Sequence, residues 1–208
     1  MVFKGIEQQD IVWRTAREGD VDRYLSALLA PADVRQDLMA LAAFSASVLK
    51  IPDRVSEPQI GEIRLQWWRD AITAGVQGTA SGEPIADALS DAMRRRGLGA
   101  EKLDILFDRL VLETYGDGHV DTEALALGAL ATQGVLFTLS AGIVGGALSK
   151  PAEAALQGAA QAYGLARLGL RLHRDWARHR QILPMQLQHD FGQARTALEM
   201  LALASLAS

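Results

Sequence analysis

The chain has 208 residues, 49% of them hydrophobic, which is enough to bury a sizeable core as one domain. Its formal net charge of −4 argues against a generic nucleic-acid binder, because such proteins usually carry a strongly basic surface. The sequence has no cysteine, which excludes disulfides and cysteine-ligated metal sites. Residues 1–9 do not form a secretory signal, so we expect a cytoplasmic protein or one at the inner face of a membrane.

Prolines and apolar periodicity mark the first helices. Short helices are expected over residues 10–17 and 20–30. Pro31 suits the start of a long helix, because its ring presets φ. Apolar side chains then recur at three- and four-residue steps, so this helix is expected to run to Lys50. Pro52 is expected to end that helix.

The next long helix carries two adjacent tryptophans, Trp67 and Trp68. Because indole side chains bury a large apolar area, we expect this helix to pack against the preceding one. Further helices are expected over residues 84–96 and 101–114. The arginines at 94–96 are interpreted as a capped, solvated helix end rather than a phosphate site.

The segment 124–148 contains no charged residue and is long enough to be a transmembrane candidate. We interpret it instead as a helix buried on all sides of a bundle, because polar side chains interrupt it and its bulk is alanine and glycine. Its small side chains would allow close helix packing or leave space for a long apolar ligand.

A long helix is expected from Pro151 towards residue 180, with four arginines on one face at steps of four, three and four residues: Arg167, Arg171, Arg174 and Arg178. This face could bind a diphosphate, an anionic lipid surface or an acidic partner. The alternative is a solvated face paired with Asp175 along the helix. A last helix is expected over residues 194–206.

Four short blocks of this sequence carry a resemblance to a known family. They read DRYL at residues 22–25, EPQIGEIRLQWWRDA at 57–71, YGLA at 163–166 and RQILP at 180–184. The block at 57–71 is the most specific of them. Together they resemble the squalene/phytoene synthase family, in particular its bacterial branch related to mitochondrial complex I assembly factors.

The resemblance implies an all-α helical bundle of the isoprenoid-synthase type, with residues 1–208 as a single domain. Family members generally continue for several more helices, so the bundle is either shortened at its C-terminus or completed by a partner. Working members carry out a Mg²⁺-dependent head-to-head condensation of two prenyl diphosphates. If this chain is active, its substrate-binding residues would be Tyr163, Arg171, Arg174 and Arg180.

Working synthases hold Mg²⁺ with two acidic motifs, and this sequence keeps little of either one. Aligned on Ala43 and Phe44, the first motif retains only Asp53, and Lys50 adds a cation where metal would bind. The second motif retains Asp175. In an active enzyme Asp53 and Asp175 would hold Mg²⁺; otherwise no cofactor is expected.

Three other pairs of aspartates are spaced four residues apart: Asp33 and Asp37, Asp87 and Asp91, and Asp104 and Asp108. Each pair is interpreted as a solvated helix face or a helix-start charge, because none stands at a family metal position. The four histidines lack metal-ligand spacing, and no phosphate-binding loop is present.

Three hypotheses remain open at this level. The first is a non-catalytic family member, a scaffold or respiratory complex I assembly-type factor that binds a protein partner at the inner membrane, in the mitochondrial matrix if eukaryotic. The second is a Mg²⁺-dependent prenyl transferase using Asp53 and Asp175. The third is a scaffold that binds a prenyl diphosphate or lipid without turnover. We favour the first, because each lost metal ligand should remove transition-state stabilisation.

Overall fold

The computed structural model describes the backbone of residues 2–116, 119–145, 148–177, 183–184 and 191–207. Side chains are described for residues 7–116, 119–145, 148–172, 175, 183–184 and 196–206. In this part of the chain all regular secondary structure is helical, which confirms the predicted all-α class.

In chain order the helices are α1 (Val2–Gly19), α2 (Val21–Leu29), α3 (Ala32–Val48), α4 (Ile51–Arg54), α5 (Pro58–Val76), α6 (Pro84–Arg95), α7 (Asp104–Thr114), α8 (Thr122–Ala129), α9 (Val135–Val144), α10 (Lys150–Ala177) and α11 (Phe191–Ala207). A 3₁₀ turn, Ala100–Leu103, precedes α7. A π-helical turn, Leu130–Gly134, joins α8 to α9.

Caps and prolines start α2, α3 and α5 near the predicted positions, whereas α1 begins at Val2, eight residues before its predicted start. Asp20 caps α2 by accepting a hydrogen bond from the backbone N–H of Arg23. Pro31 precedes the first residue of α3, and Pro58 is the first residue of α5. Pro52 does not itself end α3; it lies in the first turn of α4, where its missing N–H needs no partner.

The larger hydrophobic core lies between α1, α3, α5, α6 and α7, with α3 at its centre. The ring of Phe44 contacts Trp68 and Phe107 edge to face, with centroid separations of 5.7 and 6.0 Å. Trp68 therefore packs as predicted, but Trp67 keeps 45% of its surface exposed. A smaller core joins α8, α10 and α11 around Leu125 and Leu165.

The apolar stretch Thr122–Val144 is less buried than the sequence predicted. By length and composition it could cross a membrane, with a mean hydropathy of 1.6, and 33% of its most apolar window is buried. Leu136 and Leu139 are buried, whereas Leu127 is 58% exposed. The prediction of burial on all sides is wrong, because the stretch packs against α3, α7 and α10 and leaves its other side open.

Candidate functional site: a cation-lined cavity

A cavity of about 320 Å³ lies where α3, α4, α8, the π-helical turn and α10 meet. Small and apolar side chains form much of its described wall. The charged groups on that wall are Asp20, Lys50, Asp53, Arg54, Glu113, Arg167 and Arg171. Both signs of charge are therefore present, and the geometry decides which of them are already paired.

Asp20 is almost fully buried, with 2% of its surface exposed. Arg23 Nη1 donates to Asp20 Oδ2 at 2.8 Å, and the Ser45 hydroxyl donates to the same oxygen. Arg167 Nη1 lies 3.4 Å from Asp20 Oδ1. Burial alone would raise the pKa of Asp20, but these charges and hydrogen bonds together hold it below its ordinary value. Asp20 is therefore a carboxylate at neutral pH, already neutralised by two arginines.

Tyr163 and Arg167, one turn apart on α10, join this cluster to α2. The Tyr163 hydroxyl donates to Asp22 Oδ2 at 2.8 Å and accepts from Arg167 Nη1 at 2.9 Å. The Arg23 guanidinium lies 5.5 Å from the centroid of the Tyr163 ring and donates to Gln133 Oε1 at 2.7 Å. The hydroxyl of Tyr163, a predicted substrate-binding residue, is thus already engaged by its neighbours.

Lys50 and Arg54 form the basic side of the cavity, at the two ends of α4. In the described part of the chain neither makes an ion pair with a carboxylate. Burial, followed by the charge of Arg54, lowers the pKa of Lys50 below its ordinary value, although Asp20 opposes the shift. This side of the cavity therefore disfavours further positive charge.

The two carboxylates predicted as metal ligands lie in different environments. Asp53 is on the cavity wall, in α4 beside Arg54. Asp175 is 1% exposed and is not among the residues that line the cavity. Arg171 Nε lies 3.7 Å from Asp175 Oδ2. The structure thus brings Asp53 and Arg171 to the cavity and leaves Asp175 buried beside Arg171.

A Mg²⁺ site requires several oxygen ligands that converge on one point. Among the described residues, no group of three or more acidic, histidine or cysteine side chains is arranged to hold a metal ion. Four cations line the cavity instead: Lys50, Arg54, Arg167 and Arg171. The described residues therefore do not fit a Mg²⁺–diphosphate site of the family's kind.

The predicted arginine face of α10 is only partly covered by the structure. Arg167 and Arg171 both line the cavity. The backbone of Arg174 belongs to α10, but its side chain is outside the described residues. Arg178 and Arg180 lie outside the described residues altogether. The two described arginines of this face, Arg167 and Arg171, therefore lie on the cavity wall, whereas one alternative from the sequence was a face exposed to solvent.

Asp37 does not lie on a solvated face, contrary to the sequence interpretation. It is 3% exposed and accepts hydrogen bonds from Arg95 Nη2 at 2.5 Å and Arg96 Nε at 2.8 Å. Arg96 also donates to the backbone carbonyl of Asp33 at 2.7 Å. Arg95 and Arg96 therefore clamp α6 to α3 through Asp37. The side chains of Arg94 and Arg95 are 51% and 54% exposed, so the predicted solvated helix end is present, but the sequence interpretation did not include the clamp.

The other two aspartate pairs also have structural partners. Asp104 and Asp108 lie 3.8 and 2.5 Å from Arg69, which ties α7 to α5. Asp91 pairs with Arg94 at 2.5 Å on the surface of α6. Asp87 accepts from the Ser81 and Gly82 backbone N–H groups and so fixes the loop before α6. None of these aspartates lines the cavity.

His119 lines the cavity but has both ring nitrogens engaged. Its Nδ1 lies 2.9 Å from the Ala124 carbonyl oxygen, to which it donates, and its Nε2 accepts from Arg109 Nη2 at 3.0 Å. Burial, followed by the charge of Arg109, lowers the pKa of His119 to about 4. His119 is therefore a neutral imidazole at physiological pH, held by its neighbours.

The sequence reasoning missed the residues that organise the cavity: Asp20, Arg23, Ser45 and Gln133. Ser45 lies in the helix predicted from apolar periodicity, and Gln133 is one of the polar side chains that interrupt the uncharged segment 124–148. A polar side chain isolated on an apolar face is the signal that was available, because buried polar groups are nearly always hydrogen-bonded. It indicates a buried network but does not identify the partner.

Comparison with known proteins agrees with the sequence blocks. A sequence model of the squalene/phytoene synthase family matches residues 16–205. The match includes every described residue that lines the cavity.

Relatives with names are also found. NADH dehydrogenase (ubiquinone) complex I, assembly factor 6 of Bos taurus is 31% identical over 129 residues, which are 62% of this chain and 39% of that protein. The Homo sapiens protein of the same name is 30% identical over the same shares. The Drosophila melanogaster homolog is 29% identical over 91 residues, 43% of this chain and 27% of that protein. The matched region spans about two fifths or less of the length of these relatives.

Proposed function

Since the chain belongs to the squalene/phytoene synthase family, we propose that it is a non-catalytic member, a scaffold that acts as a respiratory complex I assembly-type factor. The observation that carries the proposal is the placement of Lys50 and Arg54 on the cavity wall, on either side of Asp53 along the chain. A working synthase needs carboxylates that gather Mg²⁺ at this position, whereas here two cations flank the one carboxylate.

The electrostatics support the same proposal. Four cations line the cavity, and the lowered pKa of Lys50 indicates that positive charge is already unfavourable there. Asp20, the buried carboxylate of the wall, is neutralised by Arg23 and Arg167. A Mg²⁺ ion would enter this cavity against repulsion and without a converging set of oxygen ligands.

The names of the relatives suggest which kind of protein the proposed scaffold binds. The relatives in Bos taurus and Homo sapiens are named as complex I assembly factors. By analogy, this chain would bind a subunit or an assembly intermediate of complex I. It would act at the inner membrane as a peripheral protein, in the mitochondrial matrix if the source is eukaryotic, and it would not bind nucleic acid.

A second candidate is binding of a prenyl diphosphate or another anionic lipid without turnover. It is favoured by Lys50 and Arg54, which face the cavity without an ion-pair partner among the described residues. Such cations can take a phosphate group directly and need no metal to do so. The prenyl transferase alternative has less support, because Asp53 is the one predicted metal ligand on the described cavity wall.

The test is complementation in cells that respire through complex I. Deleting the gene should lower the amount of assembled complex I on native gels, and the wild-type chain should restore it. Asp53→Asn should restore it equally, because a scaffold does not need this carboxylate for catalysis; Asp70→Asn, on the exposed face of α5, is the matched control. Unchanged complex I after deletion would refute the assembly role. Failure of Asp53→Asn alone, at normal protein level, would argue for an enzyme.

A further inference from the structure

The most family-specific block of the sequence carries an exposed apolar strip on α5. Ile60, Ile63 and Trp67 follow one another at steps of three and four residues and are 41%, 69% and 45% exposed. Residues at these steps share one helix face. The core face of α5 is formed by others, such as Leu65 and Ile72, each 1% exposed. Packing among the described residues therefore does not explain the strip.

The strip borders a groove of about 400 Å³ between α5 and the segment formed by the end of α3 and α4. Its apolar lining consists of Ile51, Ile63, Trp67 and Trp68. Ile51 is 7% exposed and belongs to the larger hydrophobic core, so this side of the groove is part of the packed interior. A volume of this size falls in the range of sites that enclose a small ligand or a few large apolar side chains.

Two arginines give the groove its charge. Arg54 and Arg64 both line it, both are exposed, and neither makes an ion pair with a carboxylate in the described part of the chain. By contrast, Arg69, Arg94 and Arg95 are each paired with an aspartate. Guanidinium groups beside an apolar groove favour an occupant that brings its own carboxylates.

The surrounding charges favour a protein occupant over an anionic bilayer. Glu57, Glu62 and Asp70 are exposed on α5 or at its start, and the whole chain has a net charge of −4. Attachment to anionic lipid by charge takes a cluster of several basic residues, and this groove has two. A concave apolar site with arginines at its edge instead matches the way an amphipathic helix binds in a groove.

We propose that this groove docks an amphipathic helix of a partner protein. A large apolar side chain of that helix enters between Trp67 and Ile51, and Asp or Glu side chains next to it pair with Arg54 and Arg64. The inference rests on the proposed function, since a scaffold acts through a protein partner. The inference names the surface that such a partner would bind. Neither the family match nor the names of the relatives identify that surface.

The experiment is photo-crosslinking in the same complementation cells. Benzoylphenylalanine is placed at position 63, where the native side chain is 69% exposed, and in a matched strain at position 105, where Ile105 on α7 is 62% exposed outside the groove. We expect a discrete protein adduct from position 63 only. Mass spectrometry should place the adduct on a segment with apolar residues at helical spacing and flanking Asp or Glu. Arg54→Glu with Arg64→Glu should reduce the adduct at least about ten-fold, and Arg54→Lys with Arg64→Lys should retain most of it.

Each other result overturns the inference. These results are an adduct to lipid, an adduct to a basic segment, equal adducts from positions 63 and 105, no adduct, or an adduct that survives the double charge reversal. The complex I readout in the same cells separates this test from the proposed function. If deletion lowers complex I but no adduct forms, the groove is wrong and the assembly role stands; if the adduct forms but deletion leaves complex I unchanged, the assembly role is wrong.

Discussion

His119 should make the stability of the protein depend on pH in a range where most carboxylates do not titrate. Its pKa is lowered to about 4 in the folded protein by burial and by the charge of Arg109. In the unfolded chain a histidine has a pKa near 6.5. Because the unfolded chain binds the proton first as the pH falls, the stabilising effect of the neutral imidazole is complete above pH 6.5 and is lost progressively towards pH 4.

The size of the effect follows from these two pKa values. Between pH 7.5 and pH 5.5, protonation of His119 in the unfolded state should lower the free energy of unfolding by about 1.3 kcal/mol. His119→Gln keeps an amide that can donate to the Ala124 carbonyl but does not titrate. The variant should be less stable than wild type at pH 7.5, with a pH dependence about 1.3 kcal/mol smaller over the same interval.

Urea unfolding followed by far-ultraviolet circular dichroism at the two pH values measures both quantities. His173, His179 and His189 remain in both proteins, so their contribution cancels in the comparison. Asp20 does not interfere, because its pKa is lowered from an ordinary value of 3.8, so its stabilising effect is complete well above that value and is lost only at lower pH. Equal pH dependence in wild type and His119→Gln would refute a buried, neutral His119.

Two further predictions concern packing and buried charge. Asp37→Asn should lower the free energy of unfolding by roughly 2 kcal/mol, because it leaves Arg95 and Arg96 without their carboxylate. The control Asp91→Asn breaks an exposed ion pair and should change the free energy of unfolding by less than about 1 kcal/mol. Equal effects of the two substitutions would contradict the clamp. Gly61→Ala should destabilise the protein, because the added Cβ would lie 2.6 Å from Thr114 Cγ2. In Gly169→Ala, in α10, the added Cβ meets nothing within 4 Å, so this substitution should stabilise the protein by up to about 1 kcal/mol. Thermal unfolding of the two alanine variants gives the sign of each effect, and stabilisation by Gly61→Ala would contradict the contact between α5 and α7.

The sequence was sufficient for the positions of most helices, because their starts are marked locally. Prolines stand at or next to the starts of α3, α5 and α6, and apolar periodicity marks their length. The same local signals misled the interpretation of Asp37. Its aspartate spacing suggested a helix-start charge, but its partners Arg95 and Arg96 lie 58 and 59 residues further along the chain.

The candidate site was predicted less well, for a physical reason. Lys50 and Asp53 could be found by aligning the sequence to the family pattern, and both do line the cavity. The network of Asp20, Ser45 and Gln133 joins the N-cap of α2, helix α3 and the π-helical turn. Such a network depends on how helices pack, which periodicity does not specify. The exposure of Trp67 was missed for the same reason, since a tryptophan pair predicts burial but not which ring is buried.

Diphosphate release from farnesyl and geranylgeranyl diphosphate by the purified chain distinguishes a non-catalytic scaffold from an enzyme most directly. It is measured with and without Mg²⁺ and NADPH, beside Asp53→Asn and an active squalene or phytoene synthase. Release by the wild-type chain should equal that of Asp53→Asn and should not respond to Mg²⁺. Release that requires Mg²⁺ and is lost in Asp53→Asn would contradict the scaffold proposal and would make Asp53 a metal ligand of a working enzyme.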